Sequence, residues 1–186
     1  LRAQKVSRGF IFGKKKLTPA RYDKSLARAQ ARIAELTRDK RIQDRSLVLV
    51  FEGMDAAGKG STIRRITQAL DARHYRVIPV AAPNEAERAQ PYLWRFWRQL
   101  PRRGHTTLFD RSWYSRAGVE LVMGFCSDVE YRAFLRQVVE LERNLADAAA
   151  VDGAVALHRR PGQPVGALRE ARRDVRHLSE LVVRAL

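Results

Sequence analysis

The chain has 186 residues, 45% of them hydrophobic, and 36 Lys and Arg against 20 Asp and Glu give it a net charge of +16. This length and apolar content exclude a disordered chain and predict one domain with a proper core. The single cysteine, Cys126, excludes an internal disulfide, and no apolar run approaches the roughly 20 residues that a membrane span requires. We therefore expect a soluble, cytoplasmic protein without a membrane partner.

The excess positive charge lies mainly at the two ends of the chain. Residues 1–46 hold 14 basic and 4 acidic side chains, and residues 158–186 hold 7 and 3, whereas residues 47–157 are nearly balanced at 15 and 13. Such a field attracts a polyanion: a nucleic acid, an anionic membrane or a phosphate polymer. The alternative is a solvated basic surface with no specific ligand.

The first 45 residues predict an arm followed by a helix. Residues 1–19 mix lysines with Gly9, Gly13 and Pro19 and show no periodicity, which is typical of an extended arm. From Ala20 to about Lys40, apolar residues recur in steps of three and four, which predicts an amphipathic helix. That helix would dock on the chain's own core or on a partner subunit.

Residues 46–62, SLVLVFEGMDAAGKGST, predict a strand, a loop and a helix in direct succession. The run from Leu47 to Phe51 is apolar without interruption, as in a strand that is buried on both faces of a parallel sheet. Gly53 and Gly58 flank the loop, and the helix that follows carries an apolar stripe of Ile63, Ile66 and Leu70.

This order of elements suits the binding of a phosphate chain. Glycines let backbone N–H groups converge on an anion, a helix N-terminus adds partial positive charge, and Lys59 adds a full one. The usual pattern continues with a magnesium-binding Ser or Thr, but Gly60 stands there instead. Magnesium would then be held from elsewhere, and Asp55 inside the loop becomes a candidate. The alternative is an ordinary turn before a helix.

The next segment predicts a second strand and an aromatic helix. Tyr75–Ala81 reads as a strand, and Pro79 places it at a sheet edge or near a strand end. From Pro91 to Leu100 we expect a helix that contributes Trp94 and Trp97 to the core. An aromatic platform for a nucleobase is the alternative for these two side chains.

A third strand, Thr106–Phe109, ends in Asp110. A carboxylate at the carboxyl end of a parallel strand faces the crevice where ligands bind in open α/β sheets, so Asp110 is a candidate for magnesium or its bound water. Arg111 and Arg116 follow, with Glu120 one helical turn after Arg116. For Arg111 a surface position and a functional one remain equally open.

The last third of the chain predicts one long helix, a weak strand and a basic tail. Ser127 and Glu130 form a capping box for a helix that continues to about Ala149. Asp152 and Gly153 predict a turn, followed by a weak strand over 154–157. Residues 158–164 predict a loop, and residues 166–186 an arginine-rich helix. The four histidines show no metal-site spacing.

Three segments together resemble the polyphosphate kinase 2 family: FEGMDAAGKGSTIRRI (51–66), APNEAERAQPYLWRFWRQLP (82–101) and FDRSWYSRAGVE (109–120). The resemblance extends over about residues 17–153 and is closest to members that phosphorylate AMP. It implies a P-loop kinase-like three-layer α/β sandwich with a mainly parallel sheet and an N-terminal helical extension. It also implies phosphoryl transfer between inorganic polyphosphate and a nucleoside mono- or diphosphate, assembly into a dimer or tetramer, and no role in binding nucleic acid.

The resemblance also implies roles for individual residues and a division of the chain. Asp55 and Asp110 would organise Mg²⁺ and the acceptor phosphate, Lys59 would hold the transferring phosphates, and Arg111 would neutralise charge in the transition state. Arg116 would assist, and Glu120 would position either Arg116 or a metal-bound water. The implied phosphate- and nucleotide-binding set is Gly53, Ala56, Ala57, Gly58, Lys59, Gly60, Ser61 and Thr62. The divisions would be a basic arm and helix (1–45), a phosphotransferase core (46–157) and a basic tail (158–186).

The sequence departs from the family pattern at Ser61, at Ser115, where members carry Asn, and in the whole tail. After residue 153 the chain reads AVALHRRPGQPVGALREARRDV, where the family continues into a basic lid that closes on the phosphates. We therefore expect weakened turnover. Two alternatives stay open: a remnant that binds polyphosphate or another polyanion without catalysis, and an ATP-dependent nucleoside monophosphate kinase.

Overall fold

A computed structural model describes residues 18–53, 58–147 and 151–157. Its centre is a four-stranded sheet in the order β2-β3-β1-β4, and every neighbouring pair is parallel. The strands are β1 (Ser46–Glu52), β2 (Tyr75–Pro79), β3 (Thr106–Asp110) and β4 (Val151–Leu157). Helices cover both faces of the sheet, so the predicted α/β sandwich is confirmed.

The described ranges also contain seven α-helices and one 3₁₀-helix, of which α1 and α2 precede the first strand. The 3₁₀-helix spans Trp113–Ala117, directly after β3. The α-helices are α1 (Pro19–Leu36), α2 (Lys40–Gln43), α3 (Lys59–Thr67), α4 (Glu85–Arg88), α5 (Trp94–Trp97), α6 (Val119–Val122) and α7 (Asp128–Asp147).

The central strand β1 is apolar because it is covered on both faces. Val48 and Val50 join a cluster with Phe96, Trp113 and Phe134 on one face. On the other face, alternate residues of β1 pack against α3; this second cluster contains Leu49, Phe51, Ile63, Ile66 and Leu108. Side chains alternate between the faces of a strand, so a strand with two covered faces must be apolar throughout.

The strand order creates a crevice between the carboxyl ends of β1 and β3. From β1 the chain crosses by α3 to the edge strand β2, whereas from β3 it crosses by α7 to β4 on the other side of β1. The two crossings cover opposite faces and leave a gap where they diverge, which is the usual ligand position in open α/β sheets. Pro79 is the last residue of edge strand β2, as predicted.

Helix α1 docks on the chain's own fold through polar contacts. It begins with Pro19 after the cap residue Thr18 and buries no residue fully. The Gln30 side-chain amide donates to the Arg65 carbonyl of α3 at 2.8 Å, and the Arg65 guanidinium lies 5.8 Å from the centre of the Tyr22 ring. The helix therefore rests on α3 as an outer element.

The aromatic segment differs from its prediction. Only one turn of α-helix forms, α5, and it buries Phe96 while Trp97 remains 47% exposed. Trp94 is half-buried, with the Arg98 guanidinium 4.6 Å from the centre of its ring. The prediction that both tryptophans belong to the core is wrong for Trp97, because one helical turn can face the sheet with only part of its circumference.

The carboxyl-terminal prediction is partly wrong and partly confirmed. Asp152 and Gly153 lie inside β4, opposite Leu47 and Val48, rather than in a turn. The capping box before α7 is confirmed, since the Ser127 N–H donates to Glu130 Oε2 at 2.8 Å and the Glu130 N–H donates to Ser127 Oγ at 3.3 Å.

Of the predicted arm over residues 1–19, residues 1–17 lie outside the described residues, as do the predicted loop over 158–164 and helix over 166–186. The last two arm residues instead start α1, with Thr18 as its cap and Pro19 as its first residue. Within the described part of the chain, none of the helices combines the length and apolarity needed to cross a membrane.

Candidate active site

The loop after β1 is shaped by glycines with positive φ. Gly53 has φ 149°, and Gly58 has φ 91°, a left-handed conformation directly before the first residue of α3. A side chain is strained in that region, so glycine is the residue that lets the strand turn into the helix. The loop residues Asp55, Ala56 and Ala57 lie outside the described residues.

Lys59 spans this loop from the helix side to the strand side. It is the first residue of α3, and its Nζ donates to the Gly53 carbonyl at 2.9 Å. The ammonium is thereby held at the residue that follows β1. A phosphate at that helix N-terminus would meet both the amides and the lysine charge.

The remaining predicted phosphate-binding residues occupy the first turn of α3. The Ser61 hydroxyl donates to the Gly58 carbonyl at 2.8 Å, and the Thr62 N–H donates to the same carbonyl at 3.0 Å. Gly60 has no heavy atom within 4 Å of the position that a Cβ would occupy. Ser61 is therefore engaged locally, and the first turn offers backbone amides at an uncrowded surface.

Asp110 and Arg111 lie at the end of the neighbouring strand. Asp110 is the last residue of β3 and stands opposite Phe51 in the β1–β3 register, two residues before Gly53. The Arg111 N–H donates to the Phe51 carbonyl at 2.9 Å, which extends the ladder one residue beyond β3. The topology thus brings Asp110 and Arg111 to the carboxyl ends of the two central strands, where the loop that carries Lys59 also begins.

The site also contains a carboxylate that the sequence prediction missed. Glu52, the last residue of β1, accepts hydrogen bonds from the Ser112 N–H and Ser112 Oγ, both at 2.9 Å, and from Ser115 Oγ at 3.2 Å. Burial raises the pKa of Glu52, while these hydrogen bonds and the positive charge of Arg111 act in the opposite direction. A charged residue at the end of an otherwise apolar strand was the available signal.

Arg116 belongs to a separate, largely buried ion network. Its Nε lies 3.1 Å from Glu120 Oε2, its Nη1 lies 3.6 Å from Glu130 Oε1, and its guanidinium lies 3.8 Å from the centre of the Tyr92 ring. The single proton of the Tyr92 hydroxyl is shared between the Trp113 carbonyl, 3.0 Å away, and Glu120 Oε1, 3.2 Å away. The predicted pairing of Arg116 with Glu120 is present, and Tyr92 and Glu130 are the members that sequence reasoning missed.

The surroundings of Tyr92 favour its neutral form, and those of Glu130 favour its ionised form. Burial, followed by the negative charge of Glu120, raises the pKa of Tyr92 above its ordinary value, so the phenol remains a donor. Hydrogen bonds from the Ser127 backbone and hydroxyl lower the pKa of Glu130. Arg116 is thus surrounded by two carboxylates and the face of one ring.

The donor chemistry at the crevice fits a magnesium ion bound mainly through phosphates. Among the described residues, no group of three or more His, Cys, Asp or Glu side chains is arranged to hold a metal. Mg²⁺ is usually held by one or two carboxylates together with phosphate oxygens and waters, rather than by a full protein cage. The half-buried carboxylate of Asp110 at the crevice matches that requirement.

The parallel sheet, the crevice at its switch point and the lysine of a glycine-flanked loop are the features of the P-loop class of phosphate-binding proteins. The model of one family within that class, polyphosphate kinase 2, matches residues 16–158. The chain belongs to the polyphosphate kinase 2 family.

Individual relatives agree with this assignment. A polyphosphate:AMP phosphotransferase from Pseudomonas aeruginosa is 54% identical over 126 residues, which is 68% of this chain and 25% of that protein. A GDP-polyphosphate phosphotransferase from Mycobacterium tuberculosis is 46% identical over 135 residues, which is 73% of this chain and 46% of that protein. The chain therefore spans less than half the length of either relative.

Solved structures show the same fold. A Pseudomonas aeruginosa crystal structure described as polyphosphate kinase 2 aligns with a TM-score of 0.73 and 39% identity, over 91% of this chain and 40% of that one. Polyphosphate kinase 2 from Arthrobacter aurescens aligns with a TM-score of 0.66 and 25% identity, over 82% of this chain and 58% of that one.

Proposed function

We propose that this chain transfers a phosphoryl group between inorganic polyphosphate and a nucleotide, with AMP as the preferred acceptor. Two observations support the proposal: Lys59 Nζ donates to the Gly53 carbonyl directly after β1, and Asp110 ends the neighbouring strand β3 opposite Phe51 of β1. One anion pocket would then hold linked phosphates between a cationic loop and an acidic strand end.

The proposed mechanism relies on positioning and on neutralising charge. A transferring phosphoryl group needs little covalent assistance, so no nucleophilic side chain is required. The amides at the start of α3 and the Lys59 ammonium would hold the phosphates in line. Arg111 would neutralise the charge that accumulates on the equatorial oxygens. Arg116, held by Glu120, would assist from the 3₁₀-helix.

Asp110, together with Asp55, would hold Mg²⁺ beside the phosphates. When bound, the ion would supply charge neutralisation across adjacent phosphate groups. Gly60 occupies the usual ligand position and Ser61 stands one place after it, so we assign the metal to the two carboxylates. Asp55 enters this proposal from the sequence pattern alone.

The choice of acceptor rests on the relatives. Two relatives named polyphosphate:AMP phosphotransferase are 54% and 52% identical, and a third is 42% identical. The relatives named for GDP or ADP are 43% to 49% identical. The basic residues at both ends of the chain would follow the polyphosphate. Reduced turnover, expected from the tail that departs from the family lid, and assembly into a dimer or tetramer remain predictions.

The proposal is tested by pairing each of two donors, polyphosphate and ATP, with each of three acceptors, AMP, ADP and GDP. All reactions contain Mg²⁺, and products are separated by anion-exchange chromatography. We expect ADP from AMP and polyphosphate as the fastest reaction. A faster reaction with ATP would favour a nucleoside monophosphate kinase. Salt-dependent polyphosphate binding without any product would favour a binding protein.

A further inference from the structure

Glu52 links the phosphate-binding loop to the turn that presents Arg111. It is the residue directly before Gly53, at the end of β1, and its carboxylate reaches Ser112, 60 residues further along the chain. Both the Ser112 N–H and the Ser112 hydroxyl donate to Glu52 Oε2 at 2.9 Å. Two consecutive amides after β3 are thus held by β1: Arg111 by the Phe51 carbonyl, and Ser112 by the Glu52 side chain.

This arrangement fixes an unusual backbone conformation. Arg111 has φ 68°, and it is the only described residue other than glycine with a positive φ. A residue with a Cβ pays roughly 1–2 kcal/mol for the left-handed region, so it persists only where its surroundings hold it. The hydrogen bonds of the Arg111 N–H and the Ser112 N–H fix the backbone before and after the Arg111 Cα.

The same carboxylate also sets the start of the following 3₁₀-helix. Ser112 Oγ donates to Glu52 and accepts from the Tyr114 N–H at 3.1 Å, which caps that helix. Ser115 Oγ, from within the helix, donates to Glu52 at 3.2 Å. Ser112 and Ser115 are both buried, so these bonds are shielded from water.

We propose that Glu52 is a positioning residue for phosphoryl transfer: it holds the turn from Asp110 to Ser112 in the conformation that presents the Arg111 guanidinium to the phosphates. The inference rests on the proposed function. Glu52 does not contact the reacting atoms itself; it acts through Arg111. A misplaced guanidinium would lower kcat and leave the binding of nucleotide largely unchanged, since its charge is needed most in the transition state.

The chain offers a matched control carboxylate. Glu142 of α7 accepts hydrogen bonds from Trp113 Nε1 and from the Tyr114 hydroxyl, so it also anchors the 3₁₀-helix but does not contact the turn at Arg111. A variant at Glu142 therefore reports the effect of loosening the helix alone. Glu52→Gln is the conservative variant, because its amide oxygen can still accept from the Ser112 N–H.

The experiment compares wild type, Glu52→Ala, Glu52→Gln, Glu142→Gln, Arg111→Ala and the double variant Glu52→Ala/Arg111→Ala. We expect Glu52→Ala to lower kcat about 10- to 100-fold, with KM for AMP changed less than about threefold. Glu52→Gln should lie between wild type and Glu52→Ala. Glu142→Gln, which loosens the 3₁₀-helix that carries Arg116, should lower kcat less than about threefold. In the Arg111→Ala background, Glu52→Ala should cost less than about twofold more.

Amide hydrogen exchange at Arg111 and Ser112 provides a readout that does not depend on activity. We expect these two amides to exchange at least about tenfold faster in Glu52→Ala than in wild type or Glu142→Gln. A wild-type kcat in Glu52→Ala, or full additivity with Arg111→Ala, would overturn the inference. An inactive wild type would instead refute the proposed function, and unchanged amide exchange in Glu52→Ala would then refute the anchoring as well.

Discussion

The Lys59 ammonium donates to the Gly53 carbonyl at 2.9 Å, so the first residue of α3 is joined to the residue that follows β1. A positively charged side chain therefore bridges the two ends of the loop. Because β3 ends beside β1, Asp110 and Arg111 lie at the same end of the sheet as the Lys59 loop. The proposed phosphate pocket depends on this relationship between Lys59 and Gly53.

We expect Gly58→Ala to destabilise the protein and Gly60→Ala not to. Gly58 has φ 91°, where a Cβ costs about 1–2 kcal/mol. Gly60 lies in α3 with open space around its Cβ position, so alanine there should be neutral or stabilise by up to about 1 kcal/mol. Urea unfolding of both variants measures the difference, and equal midpoints would contradict the left-handed conformation of Gly58.

The two carboxylates around Arg116 should contribute unequally to stability. Glu120→Gln removes a charge 3.1 Å from the guanidinium at a site only 19% exposed, and we expect a loss of about 1–3 kcal/mol. Glu130 is 52% exposed and 3.6 Å away, so Glu130→Gln should cost less than about 0.5 kcal/mol. Glutamine can also complete the capping box with Ser127. A larger loss at Glu130, measured by chemical denaturation, would reverse this ranking.

Phe96→Ala and Trp97→Ala separate the buried face of α5 from its exposed face. Phe96 is 2% exposed and contacts the rings of Tyr92, Phe109 and Trp113, so its removal should cost about 3–5 kcal/mol. Trp97 is 47% exposed, and its truncation should cost less than about half as much. Unfolding free energies from urea titrations provide the test, and a Trp97 cost equal to that of Phe96 would restore the core assignment made from sequence.

Glu52 should make stability depend on pH in a direction opposite to that of most acidic residues. Burial raises its folded-state pKa above the ordinary value of 4.5, so the folded state binds a proton at a higher pH than the unfolded state does. Its stabilising contribution is complete below 4.5 and falls as pH rises through the raised pKa, after which it is constant.

The difference in unfolding free energy between wild type and Glu52→Gln isolates this contribution. As the pH is lowered from neutral towards 4.5, the unfolding free energy of wild type should rise relative to that of Glu52→Gln. Both proteins share every other titrating group, including Glu130, whose lowered pKa has the opposite effect. A difference that does not vary with pH, or one that shifts in favour of Glu52→Gln, would contradict the raised pKa.

Local sequence patterns predicted the elements that carry the phosphate loop, because each depends on neighbouring residues. Residues 46–70 contain every pattern that these predictions used: the uninterrupted apolar run of β1, the glycines around the loop and the helical period of α3. The same holds for Asp110, which ends an apolar strand at the edge where β1 also ends.

Features that depend on distant partners could not be read in this way. Asp152 and Gly153 favour a turn locally, but pairing with β1 draws them into β4. The role of Glu52 requires Ser112 and Ser115, which are 60 and 63 residues away. Trp97 looks like a core residue by type, yet the single turn of α5 points it outwards.

The most direct test of the central claim is the rate of ADP formation from AMP, polyphosphate and Mg²⁺ in wild type and Lys59→Ala. Arg143→Ala is the control, because Arg143 is a 68% exposed cation on α7. We predict that Lys59→Ala lowers kcat by about 100-fold or more, and that Arg143→Ala leaves it unchanged. Equal rates in wild type and Lys59→Ala would contradict the claim that the Lys59 loop holds the transferring phosphates.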